Sequence, residues 1–188
     1  MLIDETVRCI REEGFSAASA RHIIERAGVS WGVIQHHFGD RDGLLTAVID
    51  DAVERLVSTL EALSNPEHAP DTEALIRGTW EAFANPKAMA GMEILIATKE
   101  LRRGLDAGQV ERLGAALAGL IGRVDVDGDA ERAATVGLLL WTTPVAMMIA
   151  EMFAEQPLAV DEAQGAVARL IDRYPSTEGR NTRRKPSR

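Results

Sequence analysis

Apolar residues recur three and four positions apart along almost the whole chain, and no stretch sustains a two-residue alternation. That pattern predicts helices throughout and an all-α fold. Leu2, Ile3, Thr6, Val7 and Ile10 share one face of a helix over 2–13, and Gly14 follows at a natural stop. Ser19 is a good N-cap for a short helix over 20–27, with Ile23, Ile24 and Ala27 inward, and Gly28 ends it. Ser30 caps a second short helix, 31–37, with Ile34 and Phe38 inward, and Asp40 caps a long helix from 41 to about 63. "SNPEHAPD" (64–71) reads as a linker. A helix then runs to Ala84, and Asn85-Pro86 opens another that should reach Arg103, where Gly104 stops it and Arg102 and Arg103 suit its negative end. Helices over 106–122, 129–155 and 159–174, with a turn at 124–131, bring the total to about nine.

One run changes that picture. Residues 133–150, "AATVGLLLWTTPVAMMIA", carry no charge, close to the length of a membrane span. Ala, Gly and Thr dilute the run, Pro144 interrupts it, and charged residues flank both ends. A helix apolar all round also suits a core or a subunit interface, so no membrane association is expected.

Charge narrows the partners. Net charge is -8, and residues 45–175 carry 11 basic against 21 acidic residues, which opposes non-specific adhesion to anionic polymers. Any nucleic-acid contact must therefore be local. Residues 176–188, "STEGRNTRRKPSR", carry five bases against Glu178 and no apolar residue, and read as a basic disordered tail, either a solvated end or a phosphate contact. One cysteine, Cys9, excludes an intrachain disulfide and fits a reducing cytoplasm; it reads as a small core residue. Acids at positions 4 and 5, with no apolar run after a basic start, predict no secretion signal.

Two short helices joined through Gly28 have helix-turn-helix geometry. The second carries the chemistry. Trp31, Gly32, Val33, Gln35 and His36 occupy its outward positions. A helical glycine costs roughly 1 kcal/mol relative to Ala, and close approach of a groove wall at Gly32 would compensate. Gln35 and His36 can bond base edges or phosphates, and Ser19 and Ser30 sit where free backbone N–H groups attract phosphate.

These residues resemble a family. "GFSAASARHIIERAGVSWGVIQHHFGDRDGLLTAVID" (14–50) looks like the N-terminal DNA-binding domain of TetR-type transcriptional regulators. The match rests on Gly14-Phe15, Ser19, Ala27 to Ser30, Gly32, His37-Phe38, Arg41 and Leu44-Leu45 at fixed spacing. The resemblance implies a three-helix helix-turn-helix domain over 1–48 and a helical ligand-binding and dimerisation domain over 49–175. It implies phosphate contacts from Ser19 and Arg41, and groove contacts from Ser30, Trp31, Gly32, Val33, Gln35 and His36. His37 either joins them or orients the helix end. Such proteins are homodimers on palindromic double-stranded DNA, with half-sites about 34–36 Å apart, released by a small-molecule effector. Here helices 129–155 and 159–174 would pair two subunits. Two departures stand out: Gln35 replaces the family's usual tyrosine, and basic residues ahead of the first helix are missing. They leave open a relative that senses ligand with weak or lost DNA binding.

Other chemistry is set aside. Adjacent helical residues point about 100° apart, so His36 and His37 make no metal pair, and neither metal nor cofactor is expected. "DVDGDAE" fails as a calcium loop, because aligning Gly128 puts Arg123 and Ala134 at the end ligand positions. No nucleotide loop or nucleophile motif supports catalysis, so no enzyme is expected; an all-helical enzyme or carrier remains the distant alternative. Trp80, Phe83, Met89, Met92, Trp141, Met147, Met148 and Met152 either fill the core or line a cavity for an apolar or aromatic effector. Phe153 belongs to the same set, and Glu93, Lys99 and Glu100 could fix a polar end.

Overall fold

A computed structural model of the chain describes residues 1–65, 71–99, 101, 107–124, 129–156 and 158–174. The side chains of Val124 and Met152 are not among those described. The interior of the 64–71 linker, Glu100, the Arg102–Gly104 stop, the acidic turn and the basic tail all lie outside the described residues.

Among the described residues there are nine α-helices and a short 3-10 turn, Phe15–Ala17. The helices are α1 (Leu2–Glu13), α2 (Ala20–Ala27), α3 (Trp31–Phe38), α4 (Arg41–Leu63), α5 (Thr72–Ala84), α6 (Pro86–Ala97), α7 (Ala107–Val124), α8 (Ala130–Phe153) and α9 (Val160–Asp172). Their starts follow the cap chemistry. Ser19 accepts from His22 N at 3.2 Å. Asp40 accepts from Gly43 N at 2.8 Å, and Asn85 from Lys87 N and Ala88 N at 3.1 and 3.0 Å. Asp129 accepts from Arg132 N at 3.0 Å. Each satisfies an N–H that the first helical turn leaves unpaired.

Two expectations need correction. Ser30 occupies the N-cap position of α3 in extended geometry, but its side chain makes no capping bond. And α6 ends at Ala97, not Arg103: Thr98 is extended (φ -124°, ψ 106°), and its hydroxyl and its N–H both bond the Ile94 carbonyl.

The chain divides into two compact units, one of Met1–Val57 with Ala84–Leu113, the other of Ser58–Phe83 with Gly114–Arg188. In the first, α1 packs on α2, α6 and the 3-10 turn. Ile10, Ile23, Ile34, Leu44, Val48 and Ile94 are at most 1% exposed, so one core joins helices α1 to α4 with α6. Gly28 sits at φ 65°, ψ 30°, the left-handed conformation that lets α2 stop and the chain turn into α3 within three residues. On α6, Lys87 pairs with Asp4 of α1 at 2.9 Å and also with Asp51 of α4. The Lys87 contact, then the terminal ammonium, hold the Asp4 carboxyl at about 2, below its ordinary 3.8.

In the second unit α8 continues through Pro144, which is buried. A β-carbon on Gly137 of α8 would stand 2.1 Å from Ile121 of α7, so glycine there permits the close approach. Arg132 at the start of α8 donates to the Tyr174 carbonyl at 3.1 Å and lies 3.4 Å from that of Ile171. By length and composition alone, Ala130–Glu151 could cross a membrane. Its apolar side chains split between the buried Val136, Leu140 and Met148 and the exposed Leu138, Leu139 and Ile149.

Candidate nucleic-acid interface

The α2–turn–α3 segment presents one continuous polar and aromatic face. Ile23 and Ile34 are fully buried beneath it and fix the two helices to the core. Trp31 is 42% exposed, and Ser19, Ser30, Gly32, Gln35, His36 and His37 are all exposed. Val33 is half-buried and packs on the core, with Phe38. The His36 and His37 rings meet edge-on, centroids 4.9 Å apart, and His37 lies 6.2 Å from the Phe38 ring.

Gly32 has room. A β-carbon there would meet only the Ser30 hydroxyl, at an ordinary 3.7 Å. The protein's own packing therefore gives no reason for glycine at this position.

Arg41 does more than face outward. It is half-buried; its Nε donates to the Ala18 carbonyl at 2.7 Å, and its guanidinium stands 5.0 Å over the Phe15 ring. The start of α4 is thereby tied to the turn that precedes α2. Asp42 lies 3.6 Å from an Arg41 terminal nitrogen.

The cations of α2 are engaged by acids. Arg21 bonds Glu25 at 2.8 Å. Arg26 bonds Glu12 at 2.7 Å and Glu5 at 2.8 Å, and also reaches Glu13. The Glu12 contact, then Glu5, hold the Arg26 guanidinium above its ordinary value. His22 Nε2 stands 2.8 Å from Glu13 Oε2, and this bond, ahead of Arg26, lowers the Glu13 carboxyl.

A helix-turn-helix of this kind places its second helix in a major groove. Residues 2–48 match the family model described as bacterial regulatory proteins, tetR family. The N-terminal domain of the chain is thus similar to that of tetR-family regulators. The BetI transcriptional regulator of Klebsiella pneumoniae is 36% identical over 84 residues, 43% of each chain. The chain thus matches less than half the length of its curated relatives. Over the fold, it is similar to the tetR-family regulator PfmR of Thermus thermophilus, with TM-score 0.67 at 21% identity, covering 90% of this chain and 96% of that one. It is also similar to FadR of Bacillus subtilis, solved with stearoyl-CoA, with TM-score 0.58 at 14% identity, covering 90% and 95%. The all-α architecture, an N-terminal helix-turn-helix followed by a helical C-terminal part, is similar to that of these solved structures.

The residues expected to meet an effector are divided between the two units. Met89, Met92 and Glu93 belong to the first unit, all half-buried. Trp80, Phe83, Trp141, Met147, Met148 and Met152 belong to the second, with Phe83 and Met148 buried and Trp80, Trp141 and Met147 half-buried. Glu93 is already engaged: its Oε1 accepts from Phe15 N at 2.7 Å, joining α6 to the 3-10 turn of the tetR-family domain. Lys99 and Phe153 are exposed. A cavity of about 450 Å³ in the second unit is lined by Arg123, Arg132, Arg169, Asp71, Glu73 and Asp172 among others.

One cluster escaped sequence reasoning. Cys9 and Glu13 of α1 and His22 of α2 bring a sulfur, a carboxylate oxygen and a ring nitrogen within 4.8 Å of one another. The Cys9–Glu13 spacing of one helical turn was visible, but nothing in the sequence turned His22 toward it. Burial, and next Glu13, push the Cys9 thiol above its ordinary value.

Proposed function

We propose that the protein is a ligand-responsive, homodimeric DNA-binding regulator that acts as a repressor in the cytoplasm. Its helix-turn-helix domain (1–48) binds a palindromic operator; a helical domain (49–175) binds an effector and pairs the subunits. The observation that carries the reading is Gly32, exposed on α3 with open space where a side chain would fit. Trp31, Gln35 and His36 flank it on the surface that meets the groove, with Val33 supporting the helix from the core side. Ser19 and Ser30 offer hydroxyls at the two helix starts, and Arg41 contacts phosphate while holding the preceding turn.

The homologous BetI regulators support the transcriptional role. The effector is a small apolar or aromatic molecule, which suits the methionines and tryptophans of the helical domain. Leu138 at 53%, Phe153 at 82% and Leu170 at 69% exposure leave α8 and α9 with apolar surface. A second copy covers it, in a four-helix arrangement. The effector favours a conformation whose recognition helices are mis-spaced, and its effect is bounded by its differential affinity for the two states.

The pairing of Arg21 and Arg26 with glutamates favours a second reading, in which the protein senses ligand with weakened DNA affinity. Footprinting upstream of the chain's own gene and its neighbours decides between them. A protected palindrome, with Arg41→Ala weakening all sequences and Gln35→Ala changing preference among them, supports the regulator. The absence of any protected site in a genome-wide selection overturns it.

A further inference from the structure

We propose that Cys9, Glu13 and His22 form a binding site for a thiophilic divalent cation of the zinc class, set between α1 and α2.

Cys9 and Glu13 lie one turn apart on the same face of α1. His22 stands in the first turn of α2, where the Ser19 cap fixes its backbone, and its ring turns back toward α1. The three donor atoms already lie within 4.8 Å of one another. Tetrahedral zinc, with bonds of about 2.0–2.3 Å, holds neighbouring donors about 3.3–3.7 Å apart. The remaining ångström is within the reach of the Glu13 and His22 side chains, which are partly exposed.

The donor set is selective. One thiolate, one imidazole and one carboxylate match zinc and its borderline-soft neighbours, whereas calcium and magnesium want oxygen alone. Access is asymmetric. The sulfur is fully buried, while the side chains of Glu13 and His22 are each 36% exposed. A cation enters from the solvent side, meets sulfur at the base and keeps water in the fourth position. On binding, the thiol gives its proton to solvent and the sulfur–metal bond replaces the sulfur–hydrogen bond.

The groups in place can yield. Glu13 Oε2 now faces His22, and Glu13 Oε1 faces Arg26. When Glu13 turns to the cation, Arg26 still holds Glu5 and Glu12, so the guanidinium is not stranded. The His22–Glu13 hydrogen bond between α2 and α1 is exchanged for coordinate bonds across the same gap, which would staple the first two helices of the domain. Nothing in this site depends on whether the domain binds DNA.

Titration of the full-length protein with Co²⁺, monitored by absorbance, tests the proposal. The expected result is a thiolate-to-cobalt charge-transfer band that saturates at one ion per chain and disappears on adding Zn²⁺. Cys9→Ser should abolish the band. His22→Gln and Glu13→Gln, at partly exposed positions where folding is retained, should each weaken Co²⁺ binding at least about tenfold. A parent protein with no such band overturns the site, as does a band that survives Cys9→Ser. Undiminished affinity in both His22→Gln and Glu13→Gln overturns it equally.

Discussion

Replacing Gly32 with alanine should make the protein more stable and a poorer DNA binder. The added methyl meets only the Ser30 hydroxyl at 3.7 Å, so the fold has room for it. Alanine exceeds glycine by about 1 kcal/mol inside a helix, but Gly32 is the second residue of α3, where the gain shrinks. A gain of about 0.3–1 kcal/mol follows, raising the thermal midpoint by about 1–4 °C in a chain of this size. In a major groove the same methyl points at base edges or a sugar, and affinity should fall at least about tenfold, ~1.4 kcal/mol. Thermal melting by circular dichroism and fluorescence anisotropy on the footprinted operator read the two effects separately. A lower midpoint would refute the exposure of Gly32. Unchanged affinity would refute its place against the duplex.

Three further outcomes are expected. Glu93→Ala leaves the part-buried Phe15 N–H without its acceptor and should cost about 1–3 kcal/mol in urea unfolding, while Glu93→Gln, which keeps an acceptor oxygen, should cost less than half as much; equal losses would show that charge and not the hydrogen bond matters. Because Asp4 falls from 3.8 to about 2 on folding, chiefly through Lys87, its contribution is present above pH 4 and fades as pH falls toward 2. The stability gap between the parent and Lys87→Met should therefore narrow across that window, and a gap of constant size would rule the linkage out. Phe153→Asp, at a position 82% exposed on α8, should convert a dimer to monomer by light scattering; a persistent dimer moves the interface elsewhere.

The helix boundaries of the helix-turn-helix part were legible because local chemistry sets them. Leu2–Glu13, Ala20–Ala27 and the start of α4 all coincide with apolar periodicity and a cap or glycine. Chemistry that reaches across the chain was not legible. Glu93 reads as a lone acid on an apolar helix, and its partner, Phe15 N, is 78 residues away. The inclusion of Ala84–Leu113 in the unit that carries the helix-turn-helix is equally non-local. Thr98 shows a different limit: the chain turns extended there although the apolar pattern runs on. The outward face of α3 was read largely as it stands, although Val33 turns out to support the core and Ser30 makes no cap.

The glutamates around Arg26 bear on how the protein would find its site. Affinity that comes from arginines neutralising phosphates falls steeply with ionic strength, by about 0.9 of a log unit per contact for each tenfold rise in salt. The α2 arginines already have carboxylate partners, so they release few counterions from a duplex. On the DNA-binding reading, α2 would add little to the salt dependence of operator occupancy, which would rest on Arg41. Attachment to arbitrary sequence would be brief, and the search would proceed more by free diffusion than by sliding.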